Sequence, residues 1–332
     1  MFRPRFRYTN ALVGALLRAE NARAAIAALP LPNGVSRELR DAAHKARLEA
    51  AKRLGGSDAL NYAAGLACAG KAGACPDEQT IKELHRALGK DRPDSYRRSS
   101  TLIYNPAHTD LIYVPPEAAE VPRLMEDLLA WLSDSWEELP GIVLAGILLQ
   151  ALLLIQPFEG DNGHLARLAA ETALLRKDYS FGGYAAPESE FAGHEEQYDQ
   201  ASQSTHTGVY SSQEDFTGWL EFFSGAVARA AVQAREQIQR RLEASQRPSD
   251  QTLPGSPAVL RERQVKALLH IHQQGAIRSG EYQRLAGIVP DTARRDFDEL
   301  MGKGLIAVRG VGRGTHYVLT QRGAEEAEQR RA

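Results

Sequence analysis

Cysteine is nearly missing from this chain. Cys68 and Cys75 are the only two in 332 residues, which excludes a disulfide framework, and no His or Cys at zinc-site spacing accompanies them. No sign of charge dominates either: a formal net charge of −2 gives the whole chain no pull toward nucleic acid or an anionic membrane. Long apolar runs are also lacking. The most apolar stretch, GIVLAGILLQALLLI from Gly141 to Ile155, falls short of the ~20 residues a membrane-spanning helix needs. The opening MFRPRFRYTN is basic, but the apolar segment and cleavage site of a secretory leader do not follow. A soluble, cytoplasmic protein with reduced thiols is the expectation. What is present is ample core material, 43% hydrophobic, and a length that favours two domains.

Helical periodicity dominates the first 245 residues. Leu12, Leu16 and Ile26 mark one helix within 9–29, and Leu39, Ala43, Leu48 and Ala51 mark a second over about 36–54, with the turn LPLPNG between them. Residues 57–76 are rich in small residues and carry no clear period. Helices are expected from Asp77, with acidic residues in the first turn, and over VPRLMEDLLAWLSD. Between them, Thr101–Tyr104 and Leu111–Val114 flank Asn105-Pro106 and predict a hairpin. Helices also follow at EEQYDQAS and FTGWLEFFSGAVARAAVQAREQIQRRLE, where Phe216, Trp219, Phe222 and Phe223 read as core.

The run from Gly141 is apolar on every side, so it predicts a helix buried all round. Pro157 ends it. The loop that follows offers Gly160, Asn162 and Gly163, and a second helix begins near His164 with its N-terminus aimed at that loop. Converging N–H groups at a helix N-terminus, with Arg167 one turn in, make an anion site suited to a phosphate.

The stretch Gln156–Arg167 resembles the signature of the Fic family, H-P-F-x-[D/E]-G-N-G-R-x-x-R. Pro157, Phe158, Asn162, Gly163 and Arg167 match it; Gln156, Gly160, Asp161 and His164 do not. The Tyr96-Arg97 pair and the segments around Tyr198 and Trp219 are family-like too, so the resemblance spans most of residues 9–245. It implies a mainly α fold, a Fic-type helical bundle with a β-hairpin flap, and transfer of AMP from ATP to a protein hydroxyl. It also implies that the flap residues Leu102, Ile103, Tyr104, Leu111, Ile112 and Tyr113 hold a protein target by strand addition. Nucleotide, with Mg²⁺, is the implied cofactor, held by Gly160, Asp161, Asn162, Gly163, His164 and Arg167.

The departures bear on the chemistry. The base position of the signature is Gln156, and a carboxamide accepts no proton at useful basicity; losing such a base removes a factor of roughly 10²–10⁴. Gly160-Asp161 inverts the family's acid-glycine order, which leaves Asp161 or Glu159 as the carboxylate for a metal and puts a Cβ where the turn wants none. His164 replaces the first Arg, and its position eight residues on makes it a poor substitute base. The family's inhibitory motif, [S/T]-x-x-x-E-[G/N], aligns with Ala51-Lys52-Arg53-Leu54-Gly55-Gly56, where hydroxyl and Glu are both missing; Glu20-Asn21 is a weaker substitute, with Leu16 where the hydroxyl belongs.

Ser245–Pro257 is polar, with three prolines, and reads as a linker. Beyond it three helices, RERQVKALLHIHQQ, SGEYQRLAG and VPDTARRDFDELMGKG, precede the strand pair LIAVRG and THYVLT. This resembles a winged helix-turn-helix, an α+β module. From residue 255 there are 13 Lys and Arg against 9 Asp and Glu, so this part is basic while the chain is not. The third helix would place Asp291, Thr292, Arg294 and Arg295 at a DNA major groove, with Arg309 and Arg313 on the wing. The expected organisation is an N-terminal helical part over 1–95, a Fic core with flap and signature loop over 96–245, a linker at 246–257 and a winged-helix domain over 258–332. The expected function is a nucleotide-responsive DNA-binding transcription regulator with AMP transfer lost or altered; an active nucleotidyl transferase acting on itself or a partner is the alternative, and an interaction scaffold the second alternative. A palindromic operator would favour a homodimer.

Overall fold

The computed structural model describes residues 1–55, 59–71, 73–89, 95–104, 110–246, 260–310 and 312–330; of residues 59, 60, 245, 246 and 313 it describes the backbone alone. The expected linker 246–257 and the flap tip at Asn105-Pro106 fall almost wholly outside the described residues. Two compact units result, Met1–Leu242 and Glu243–Ala332. The fold is mainly α-helical, with two short two-stranded sheets among the described residues.

In chain order the helices are α1 (Asn10–Ala28), α2 (Asn33–Arg53), α3 (Ala59–Ala69) and α4 (Glu78–Ala87), followed by strands β1 (Ile103–Tyr104) and β2 (Leu111–Tyr113). Next come α5 (Val121–Asp134), α6 (Gly141–Ile155), α7 (Asn162–Arg176), α8 (Pro187–Gly193), α9 (Glu195–Gln203) and α10 (Thr217–Gln246). Thr9 caps α1, its hydroxyl accepting from the Leu12 N–H at 3.2 Å. Asp77 caps α4 by accepting from Thr80 N–H at 2.8 Å, as an acidic residue before a helix should.

The sequence 57–76, without a legible period, contains α3. Its small residues have a packing purpose: a Cβ built on Gly65 would lie 2.3 Å from Leu168 Cδ1, so glycine lets α3 close on α7. At the centre α6 is buried along its length, apart from the half-buried Leu153. Gly146 lets it approach α10, where an added Cβ would meet Leu220 Cδ2 at 2.8 Å. The Trp219 indole donates to Gly146 O at 2.7 Å, and Phe216, Trp219 and Phe223 are core, while Phe222 is half-buried.

The second unit carries α11 (Glu262–Gln274), α12 (Ser279–Ala286), α13 (Pro290–Gly302), β3 (Ile306–Arg309), β4 (His316–Leu319) and α14 (Gln321–Gln329). The closing helix α14 is an addition to the three helices and strand pair expected. Strands β3 and β4 pair antiparallel, Ile306 with Leu319 and Arg309 with His316, and Ile277 adds a further bridge to Tyr317. Asp296, fully buried, accepts from Arg263 (2.6 and 3.0 Å), Arg261 (3.2 Å) and the Tyr282 hydroxyl (2.9 Å). Burial alone would raise this carboxyl, but those donors outweigh it and hold it below its ordinary value. The three helices α11, α12 and α13 are thereby tied at one point.

Candidate anion corner between two central helices

Helix α6 ends one residue before Pro157. Gln156 turns into the left-handed region, φ 51°, with its N–H still bonded to Leu152 O at 2.9 Å. Its side-chain amide folds back and donates to Leu153 O at 2.8 Å. The chain then passes Phe158, buried and stacked on His85 with ring centres 3.8 Å apart, and enters α7 at Asn162. Asp161 is the residue at the corner, φ 56°, and its side chain does not cap the helix. A left-handed residue at that point is what glycine supplies in the signature, so the inverted Gly160-Asp161 order places a Cβ on the strained position.

Asn162 holds this loop in shape. Its amide donates to Phe158 O at 2.8 Å and its oxygen accepts from Phe158 N–H at 3.0 Å. The side chain is therefore committed, and what Asn162, Gly163 and His164 offer an anion is the first-turn backbone N–H groups that no helix can satisfy internally. Gly160, Asp161 and Gly163 are half-buried at that face. Below it lies Arg167, 4% exposed. Its Nε and Nη2 are buried without a hydrogen-bond partner, while Nη1 would lie 3.5 Å from a Cβ on Gly163. A buried guanidinium with open donors is costly unless an anion completes it; besides the corner, the buried carboxylates Glu171 and Glu188 line the same small space as Arg167.

The two candidate metal carboxylates separate. Glu159 accepts from the Arg98 N–H at 3.0 Å and from Ser99 Oγ at 2.8 Å, and these donors hold it below the usual carboxylate range. It braces the segment before the flap. Asp161 remains at the corner, its Oδ1 3.6 Å from His164 Nδ1. His164 itself is 4% exposed, tilted against Tyr62 at 5.1 Å, with Nε2 3.3 Å from Ala51 O. Its ring is thus engaged by α2 and α3. No group of three or more His, Cys, Asp or Glu among the described residues could hold a metal by itself. The first-turn N–H groups and Arg167 are donors of the kind that would suit a phosphate, and Asp161 is the carboxylate at the corner that would face a metal accompanying it.

Arg97 binds the flap base to the corner. Nearly buried, it donates to Gln156 O (2.7 Å), Ser99 O (2.9 Å) and Pro116 O, and its N–H reaches Pro157 O at 2.9 Å. In the flap, Leu102, Tyr104 and Leu111 are exposed, and Ile103 and Ile112 half-buried. Tyr113 differs from the expectation of a target-facing residue: it is 3% exposed and its hydroxyl donates to Leu154 O at 2.9 Å, which makes it core. Beyond β2, Val114 bridges Val209, and its N–H bonds Gly208 O at 2.8 Å, so one side of the flap is already engaged near its base. Under the flap a cleft of about 250 Å³ is lined by Tyr104, Ile112, Gln150, Gln156, Asp199 and His206 among others. Burial pushes Asp199 up and His206 down.

Behind the corner is a charged cluster that no motif announced. Arg47 of α2 reaches Glu171 at 2.5 Å, Glu188 at 3.7 Å and Ala185 O at 2.8 Å. Burial works against its charge, but the two carboxylates outweigh burial and hold Arg47 cationic. Tyr62, fully buried, donates to Glu188 at 3.3 Å. Its hydroxyl is pushed up by burial first and by Glu188 next, with Arg167 opposing. One signal existed in the sequence: Arg47 sits four residues from both Ala43 and Ala51, on the apolar face of its helix.

A buried helix handing the chain through a left-handed corner to the N-terminus of a second, beside a short flap, defines the class of helical domain to which the first unit is compared. Residues 75–174, from the end of the α3–α4 connection through α7, match the model of the Fic/DOC family, so the chain carries a Fic/DOC family domain. Proteins of that family transfer AMP or similar groups to proteins. A crystal structure of a Fic family protein from Desulfovibrio desulfuricans G20 is similar at a TM-score of 0.62, covering 96% of this chain and 99% of that one at 20% identity. A Fic domain containing signaling protein from Bacteroides thetaiotaomicron VPI-5482 is similar at 0.54, covering 70% of this chain and 98% of that one at 15% identity. At such identities the likeness is one of fold. No curated protein matches the chain.

Proposed function

We propose that the first unit binds a nucleotide at the α6–α7 corner without efficient AMP transfer, and that the second unit carries the output by binding DNA. The observation that supports it is Arg167, a nearly buried guanidinium with two unpartnered donor atoms beneath the corner. At the position where the signature carries its base, the Gln156 amide is folded onto Leu153 O, and amide nitrogen cannot take a hydroxyl proton. Grip on the phosphate is retained and proton transfer is not. Asp161 is the carboxylate that would meet a metal carried by the nucleotide, and the metal would offset phosphate charge there. The exposed Leu102, Tyr104 and Leu111 supply a surface on which a protein target could pair.

For the second unit, support comes from charge and surface. Arg294 and Arg295 are exposed on α13, on the side opposite buried Ala293, Phe297 and Leu300, and Arg309 is exposed on β3. Thr292 is half-buried beside them; Arg313 has no described side chain. These are the positions from which a winged helix contacts bases and phosphates.

Calorimetry with ATP, ADP and GTP in Mg²⁺, paired with transfer of labelled nucleotide, tests the first half. Saturable heat without label on the protein or on added lysate is expected. Absence of heat from all three would leave an interaction scaffold, and label at an ordinary family rate would make the chain a working transferase. Gel-shift titration of duplex DNA with and without nucleotide tests the second half.

A further inference from the structure

On the side of α7 away from the corner, α2, α3, the C-terminal half of α7 and the 180–183 turn enclose a separate cleft of about 320 Å³. That volume is at the lower end of small-molecule sites, about 300–1,000 Å³. One wall is apolar, formed by Ala63, Leu66, Ala67 and Leu175. The other is one face of α2, where Arg40, His44 and Arg47 recur at helical spacing. Among the described residues Glu171 is the only carboxylate lining this space, and Arg47 already holds it at 2.5 Å. Among the described residues Arg40 and His44 have no carboxylate within ion-pair distance. The Arg40 Nε donates to Gly182 O at 2.8 Å and its guanidinium lies 5.3 Å from the centre of the Tyr184 ring. Those contacts fix its orientation and leave the ends of its fork to solvent.

We propose that this cleft binds a small monocarboxylate with a short hydrocarbon body. The carboxylate is received by Arg40, as a forked donor suits it, with His44 one turn along. The hydrocarbon lies on the alanine and leucine wall, where burial of apolar surface supplies the remaining affinity. Charge decides the class of ligand. An amine of the same length would meet Arg40 with the wrong sign and would find Glu171 already paired. The site is distinct from the α6–α7 corner and does not depend on nucleotide binding there.

Titration calorimetry of the whole chain with sodium octanoate, and with octylamine in parallel, reads the assignment directly. Octanoate is expected to give saturable heat near one per chain and octylamine none. Arg40→Ala removes a charge-assisted hydrogen bond and is expected to weaken octanoate about tenfold. Arg40→Lys should restore part of the loss, and Ala67→Trp should block binding by filling the apolar wall from an exposed position. Both α2 and α3 sites are at the surface, and circular dichroism establishes that each variant is folded. No saturable octanoate heat, equal heat from octylamine, or wild-type affinity in Arg40→Ala overturns the proposal. Loss of the octanoate heat in excess ATP also overturns it, because the carboxylate would then be occupying the corner.

Discussion

Replacing Arg47 with alanine isolates what the buried cluster contributes. The guanidinium stands 2.5 Å from Glu171 and 3.7 Å from Glu188, and the two carboxylates are 7% and 3% exposed. With an effective dielectric of about 20, the two attractions are on the order of 7 and 4 kcal/mol, most of it offset by the cost of stripping water from the ions. Removing this cation leaves two buried carboxylates without their ion-pair partner, for which about 3–5 kcal/mol of lost stability is expected. The loss has a pH signature. Glu171 is already pushed up by burial, with Arg47 opposing, so without Arg47 its folded pKa rises further. Between the unfolded value, near ~4.3, and that raised folded value, the native state binds more protons than the unfolded one. Stability therefore falls as pH rises through that window. Arg47→Ala should be least damaged at pH 5 and most at pH 8. All three tryptophans, Trp131, Trp136 and Trp219, lie in the first unit, so urea unfolding followed by indole fluorescence reports the relevant transition alone. A loss below about 0.5 kcal/mol at pH 8, or one independent of pH, would refute the reasoning.

Other outcomes are equally definite. Arg167→Ala is expected to weaken ATP at least about tenfold in calorimetry, since the guanidinium supplies charge-assisted donors from a buried position. The triple change Gln156→His, Gly160→Asp, Asp161→Gly restores the signature's base and acid-glycine order, and should produce detectable self-labelling from labelled ATP. An unlabelled but folded triple variant would show the corner unable to do the chemistry. Arg294→Ala should weaken duplex DNA binding and, if the contact is to phosphate, reduce the slope of log affinity against log salt by about 1. Gly323→Ala is expected to destabilise the second unit by more than about 2 kcal/mol, because the new Cβ would lie 1.8 Å from the Leu305 carbonyl oxygen; hydrogen exchange across 260–330 reads it.

The central helix, its stop at Pro157, the capped α4 and the aromatic core of α10 were legible because each rests on a local rule: period, proline geometry, side-chain capping. What the sequence left dark depends on partners far along the chain. Nothing local in residues 57–76 marks α3, whose Gly65 matters only because Leu168 packs on it. Glu159 and Asp161 were interchangeable as carboxylates until Arg98 and Ser99 took one of them. Tyr113 looked like a flap residue by position, and its burial against Leu154 O followed from which face of a two-strand hairpin met α6. The Arg47 cluster joins residues 124 and more positions apart, beyond any window of periodicity.

The guanidinium of Arg97 spans Ser99, Pro116 and Gln156, carbonyls on both stems of the hairpin and at the turn out of α6. A body seized at three places moves as one. Drawing either stem of the hairpin away would therefore strain a bond held by the same guanidinium that holds the Gln156 carbonyl.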